Sequence, residues 1–305
     1  MRVGFAIAVG LLVCVLGAAP AAAQCANPNA LGVARTVQID TTGAPGFGQD
    51  HYKEYDFLQA KEVVLTFDDG PQVGHTHAVL KALADQCTKA TFFSVGVMAA
   101  GLPEIIRDVA KAGHTIGTHT WNHIDVSTLK DEAAWKAEIE KGISGVRRAV
   151  GGPIAPFFRY PALRDTKESL AHLRSRNVAV FSTDIDSFDF KFRSPDQLVK
   201  AVMAKLEKRD KGILLMHDIQ PNTAKAVPLL LTELKAKGYK IVHMKPKFEL
   251  KSLAEYDELV EKDPKMKGLA ASTGRPLSSV VQTIDETPAQ PVTTSSAPPK
   301  APLKK

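Results

Sequence analysis

Two histidines four residues apart, His119 and His123 in the stretch "HTWNH", are the first residues of this chain whose types and spacing suggest chemistry. On a helix, an i, i+4 pair projects from one side, near enough for a single ion to bridge both imidazoles. The spacing alone decides little, because nine histidines in 305 residues give about 0.3 such pairs by chance. The zinc-peptidase form of the motif also needs a glutamate directly after the first histidine, to act as general base. Here that position is Thr120. A metal at His119 and His123 therefore needs a third ligand and a base from elsewhere in the chain.

Candidates stand in "TFDDG", where Asp68 and Asp69 are adjacent at the end of an apolar run. Two neighbouring carboxylates beside a buried strand are costly unless charge neutralises them, which a bound cation would do. A solvated Asp-Gly turn is the competing reading of the same residues.

The elements around these residues break the tie. From about residue 61 to 245, short β-branched or aromatic runs alternate with helix-like stretches. The strand segments are "EVVLTF" (62–67), "KATFFSV" (89–95), "HTIGTH" (114–119), "PFFRY" (156–160), "VAVFST" (178–183), "GILLMH" (212–217) and "YKIVHM" (239–244). Alternation of this kind implies a parallel sheet, either closed into a barrel or doubly wound. Asp68 and Asp69, "HTWNH", Arg159, Asp184 with Asp186, and His217 then all fall at carboxyl ends of strands. That is where barrels and open α/β sheets build their sites.

In chain order, "TFDDG", "HTWNH", "RYPA", "DIDSFDF" and "LLMHD" resemble the motifs of the polysaccharide deacetylase (NodB-homology) family, carbohydrate esterase family four. The likeness covers about residues 61–245. It implies an α/β fold, a distorted (β/α)7 TIM-like barrel of parallel strands, and a divalent metal, usually Zn2+ with Co2+ or others possible. It also implies hydrolysis of N-acetyl groups on N-acetylglucosamine polymers: peptidoglycan, chitin-like oligomers or an exopolysaccharide.

Carried over by motif position, Asp69, His119 and His123 resemble the metal triad and Asp68 the general base. His217 resembles the general acid that protonates the leaving amine, Asp186 the acid that orients it, and Arg159 the partner of the catalytic aspartate. The backbone N–H of Ala162 matches the oxyanion donor, and Leu215 the residue that lines the acetyl-methyl pocket. Two positions depart from the common pattern. Ala162 stands where a tyrosine is frequent, and Phe190 where tryptophan often closes the fourth motif. Catalysis is expected to survive both changes, while the sugar-binding surface must differ. An O-acetyl (xylan-type) esterase is the alternative within hydrolases, and a catalytically silent carbohydrate-binding protein the alternative outside them. The silent reading sits poorly with a complete set of Asp68, Asp69, His119, His123 and His217.

Flanking segments bear on where the protein works. Residues 1–23 carry one early arginine, a short apolar run and a terminal "AAA", as a signal peptide does, so the expectation is export to the periplasm or beyond. Residues 24–60 are turn-rich and are expected to form an arm on the 61–245 core. Residues 246–305 form an extension whose later part is rich in Ser, Thr, Pro and Ala, and its expected state is largely disordered. A net charge of +6 suits anionic envelope polymers and equally suits an ordinary basic protein. No basic cluster interleaved with aromatics argues for nucleic acid, and oligomeric state is not legible. Loss of the leader removes Cys14 and leaves Cys25 and Cys87, either bridged or as a loose and a buried thiol. If bridged, the mature chain denatured without reductant shows no titratable thiol; two titratable thiols would contradict the bridge.

Overall fold

The computed structural model describes Cys25 and residues 27–265. The leader and the tail beyond residue 265 lie outside the described residues. Two arm strands, β1 (Arg35–Ile39) and β2 (Gly46–Phe47), precede β3 (Glu62–Asp68). Helices and strands then alternate: α1 (His75–Asp85), β4 (Thr91–Ser94), the pair α2 (Gly96–Gly101) and α3 (Pro103–Lys111), then β5 (Thr115–Thr118) and α4 (Glu132–Val150). After these come β6 (Phe157–Phe158), α5 (Lys167–Ser175), β7 (Ala179–Phe181), β8 (Ile185–Asp186) and α6 (Pro195–Arg209). The chain continues through β9 (Gly212–His217), α7 (Pro221–Ala236), β10 (Lys240–Pro246) and α8 (Ala254–Lys262). Each of the seven strand segments read from the sequence coincides with or overlaps an observed strand.

All pairings between these strands are parallel. The ladder runs from β3 through β4, β5 and β6 to β7, while β9 pairs the other side of β3. Closure is made by one stretch of chain: β7 lies beside β6, and β8, beginning at Ile185, lies beside β9. The distortion of the barrel has a definite place. β10 meets β3 only at Lys240↔Glu62 and Ile241↔Val63, and pairs along its length with β1 instead. The seventh strand segment thus sits at the lower edge, wedged under the β3–β4 pairing.

Strand alternation explains both the core and the site. All seven residues of β3 are buried, as expected for a strand covered on both faces. Val63, Leu65 and Phe67 join the larger apolar cluster under the helices, with Leu83, Ile106 and Leu231. Val64 faces the other way and joins Phe93, Phe157, Phe181, Ile213 and Met244 in a plug that fills the barrel. Two residues further along the inward side come Thr66 and then Asp68. The plug is apolar below and polar at the carboxyl ends, so the titratable groups collect at one mouth.

The arm packs on this core and is more regular than a loop. Arg35 holds Glu62 through two hydrogen bonds of 2.7 and 2.6 Å, and Cys25 is bridged to Cys87 with Cα atoms 5.8 Å apart. The extension from residue 246 begins as ordered chain: α8 lies in it, with Val260 buried. At the start of α6, Ser194 occupies the cap position, yet its hydroxyl makes no capping bond.

His114 and His243 lie at the opposite end of the barrel from the polar mouth, and both are buried. Burial, with the charge of Lys89 and the nearness of His243, pushes His114 down to about 3, and burial with the charges of Lys245 and Lys89 pushes His243 down to about 4. Both folded values lie below the unfolded one, so the unfolded chain takes up protons first as pH falls. Stability should therefore be full above about pH 6.5 and decline below it, by at most about 2 kcal/mol per histidine by pH 5. Thermal unfolding at pH 7 and pH 5 checks this, and His114→Gln should show a smaller loss between the two.

Candidate active site

The polar mouth is organised around Arg159, whose side chain is completely buried. Its Nη1 donates to Asp68 Oδ1 at 2.7 Å and to Thr66 Oγ1 at 2.7 Å, and its Nη2 donates to the Ser182 carbonyl at 2.9 Å. The guanidinium also lies over the Phe93 ring, 4.3 Å from its centroid. A buried carboxylate beside a buried guanidinium is tolerable only when the two are paired and otherwise hydrogen-bonded, and both conditions hold here. Asp68 is thereby fixed directly across the β3–β9 register from His217.

Asp69 departs from the strand with a left-handed backbone, φ 77. Its Oδ1 lies 3.5 Å from His119 Nε2 and 3.1 Å from His123 Nε2, and the three ligand-type atoms all fall within 4.8 Å of one another. "HTWNH" is not helical. It is the loop that follows β5, with Thr120 at φ 62 and His123 at φ 61, so the helical-face argument for the pair does not apply. The backbone turn, rather than helix periodicity, brings both imidazoles to Asp69.

This donor set fits a divalent cation. Asp69 Oδ1 is buried and has no hydrogen-bond partner, a costly state that a cation would relieve. His119 Nδ1 donates to the Arg159 carbonyl at 2.7 Å, which leaves the Nε2 lone pair for coordination. Burial pushes the His119 pKa down against the opposing pull of Asp68 and Asp69, which favours the neutral, ligating form. Two imidazole nitrogens and one carboxylate oxygen make a three-ligand set of the kind that keeps a position open.

His217 belongs to the same mouth, but its partner differs from the one expected. Asp189, not Asp186, contacts it: Asp189 Oδ1 is 2.7 Å from His217 Nδ1, and Asp189 Oδ2 accepts from the His217 backbone N–H at 2.7 Å and from Thr223 Oγ1 at 2.6 Å. The cause is local. β8 ends at Asp186, whose Oδ1 accepts from the Phe188 N–H at 2.8 Å; Phe188 then adopts a left-handed backbone, and the following short turn returns Asp189 beneath the histidine. Asp186 instead lines a flank groove of about 650 Å³ with Leu163, Phe188 and Lys205. Burial alone would discharge His217, but the hydrogen bond and charge of Asp189, with Asp68 and Asp69 adding, override it and lift the pKa to about 9.

The remaining sequence-derived residues are placed as follows. Leu215 is buried on β9, two residues before His217 and so on the same inward side. Ala162 follows Arg159 in an exposed turn at φ 54. Phe190 is exposed and meets the His217 ring edge-on, with centroids 5.9 Å apart. Thr66 and Asp189 are the residues that the sequence reading missed. Asp189 was the third acid of "DIDSFDF" and Thr66 the inward neighbour of Asp68, so alternation along β3 alone would have found the threonine. Asp218, beside His217, is a separate feature: burial lifts it to about 7 while it accepts a 2.6 Å hydrogen bond from Thr76.

Comparison with known proteins agrees with this fold. The polysaccharide deacetylase family model matches residues 58–181. A peptidoglycan-N-acetylglucosamine deacetylase of Bacillus cereus is 31% identical over 187 residues, 60% of this chain and 85% of that protein. The peptidoglycan-N-acetylglucosamine deacetylase PgdA of Listeria monocytogenes is 30% identical over 185 residues, and there the match covers 60% of this chain and 38% of the relative's length. Among solved structures, a peptidoglycan deacetylase of Bdellovibrio bacteriovorus superposes with a TM-score of 0.65 at 33% identity, covering 72% of this chain and 61% of that one. The chain belongs to the polysaccharide deacetylase family.

The two acids near His217 are separable by experiment. Asp189→Asn should lower the His217 titration midpoint from about 9 to near or below the ordinary 6.5, because burial then acts with no opposing charge in contact. Asp186→Asn should move it far less. Titration of the His217 ring resonances by NMR measures both.

Proposed function

We propose that the protein is an exported, metal-dependent N-deacetylase of N-acetylglucosamine-containing polymers, releasing acetate. The observation that carries this reading is the buried, unpartnered Oδ1 of Asp69 facing the Nε2 atoms of His119 and His123, with Asp68 and His217 as neighbours across the β3–β9 register in the same mouth. A divalent cation held by Asp69, His119 and His123 would supply Lewis acidity, lowering the pKa of a water and polarising the acetyl carbonyl.

The chain's own residues supply the proton transfers. Asp68 takes the proton of the attacking water, and Arg159 keeps that carboxylate charged and aimed while buried. Water oxygen joins the acetyl carbon, and the bond from that carbon to the sugar nitrogen breaks. Nitrogen leaves poorly until it is protonated, and the raised pKa of His217 keeps a proton available for it at neutral pH. Asp189 holds the His217 Nδ1 side, so the Nε2 proton is the one offered. The Ala162 N–H is the chain's donor for charge developing on the carbonyl oxygen.

Two further features support the setting. The Cys25–Cys87 bridge suits an oxidising compartment, in accord with the leader-like residues 1–23. No helix among the described residues is long and apolar enough to cross a membrane. The polymer class follows the named relatives, and the exposed Phe190 beside His217 offers a smaller stacking surface than the tryptophan frequent at that position.

Three variants divide the roles. Asp69→Ala should lose metal content and activity together, since three ligands leave no redundancy. Asp68→Asn should keep its metal while acetate release falls by roughly 10² to 10⁴ on both amide and ester substrates, because attack by water is common to both. His217→Ala should keep its metal and lose proportionally more activity on an N-acetyl sugar than on an activated acetate ester, whose leaving oxygen needs less help. Metal analysis and acetate release on N-acetylglucosamine oligomers, peptidoglycan and acetylxylan test all three. Acetate from xylan alone would select the esterase reading instead.

A further inference from the structure

The loop that carries His119 and His123 is gripped from outside the barrel. The first N–H groups of α2 hold its carbonyls: Gly96 N–H donates to Thr120 O and Val97 N–H to Trp121 O, both at 2.9 Å. Glycines open a seat for it. A Cβ on Gly142 of α4 would lie 2.6 Å from the Thr120 carbonyl carbon, and one on Gly145 would lie 2.5 Å from the Trp121 ring. Asn122 is clamped by Glu138, which accepts from its backbone N–H at 2.9 Å and from its Nδ2 at 2.7 Å.

The last wall comes from the C-terminal extension. Val260 of α8 and Trp121, each 1% exposed, share an apolar cluster with Ala100. Lys141 of α4 bonds Asp263 at 2.5 Å and stands 5.0 Å over the Trp121 ring. Lys265 donates to the Asn122 side-chain oxygen. The contacts of α8 and of the residues just after it centre on Trp121 and Asn122, two of the three residues between the histidines, and α8 lies beyond residues 58–181 that match the family model.

We propose that α8 is a positioning element for the His119–His123 pair, so that metal affinity depends on residues of the C-terminal extension that touch no metal ligand. The inference rests on the metal reading above. The physical reason is strain. Thr120 and His123 both hold left-handed backbones, which for non-glycine residues cost of order 1 to 3 kcal/mol each and persist only when the surroundings over-determine them. His123 is 46% exposed and packs little by itself, so the loop's seat is what holds its imidazole at Asp69. With the α8 wall weakened, Trp121 gains room, the loop relaxes, and the three donors no longer converge without a cost to binding.

The test uses the full chain and Zn2+ with a competing chelator. Val260→Ala and Lys265→Ala are each expected to weaken Zn2+ binding by about 10-fold, the lower end of the effect of groups that support metal ligands. Leu259→Ala, at a 47% exposed position of the same helix, should leave it unchanged. In the metal-free chain, the amides of residues 119–123 should exchange with solvent faster in the first two variants than in the parent. Parental Zn2+ affinity and parental exchange in both variants would overturn the proposal, as would an equal loss in Leu259→Ala, which would make the effect one of general helix stability. Lys265 is exposed, so its variant carries the test should Val260→Ala fail to fold. A parent chain that binds no Zn2+ would sink the metal reading itself, while exchange in the metal-free loop still decides whether α8 holds it.

Discussion

A guanidinium sealed inside a barrel mouth must be neutralised and fully hydrogen-bonded, and Arg159 meets that requirement in a way that fixes most of the site. Its side chain ties β3, through Thr66 and Asp68, to the chain that follows β7, through the Ser182 carbonyl. Its backbone carbonyl accepts from His119 Nδ1 and so sets which nitrogen of that histidine faces Asp69. One residue therefore orients both the proposed base and a proposed ligand. The very short β6, which ends at Phe158, presents it, and the side chain then lies over Phe93 of the apolar plug.

Two histidines of the same mouth are driven to opposite protonation states by their neighbours. His119 is buried against a carbonyl and held toward neutrality, whereas His217 is buried against Asp189 and held charged. Burial pushes both the same way and carboxylates pull both back, so the difference lies in the group hydrogen-bonded to the ring: His119 is bonded to a carbonyl, and burial outweighs Asp68 and Asp69, whereas His217 is bonded to the Asp189 carboxylate, which outweighs burial. Such divergent environments let one mouth hold an electron-pair donor and a proton donor at the same pH.

Much of this was legible in the sequence, for reasons that can be named. β3 and β9 are long runs of buried residues, and their ends at Asp68 and His217 read directly from the apolar pattern. Two-residue strands such as β2, β6 and β8 leave too little pattern to bound, and Asp189, the acid that contacts His217, lies just after the last of these. "DIDSFDF" offers three carboxylates, and choosing among them needed the left-handed turn at Phe188, which no propensity assigns to phenylalanine. The His119–His123 spacing suggested a helix face because four residues is a helical interval; the loop achieves the same convergence by backbone turns at Thr120 and His123. The arm strand β1 and helix α8 were unreadable as parts of the fold because each is stabilised by what it docks on, β10 in one case and Trp121 in the other.

Helix α4 also shows how a locally poor sequence can be globally right. Gly142 and Gly145 sit inside a 19-residue helix, where each costs roughly 1 kcal/mol relative to alanine. A stabilisation campaign that ranks surface and helix positions by propensity would select both for replacement with alanine. At either position the new methyl would strike the Thr120 backbone or the Trp121 ring. The enzyme engineer who seeks a more heat-resistant variant should therefore leave this helix as it is and look for gains on the barrel's far side.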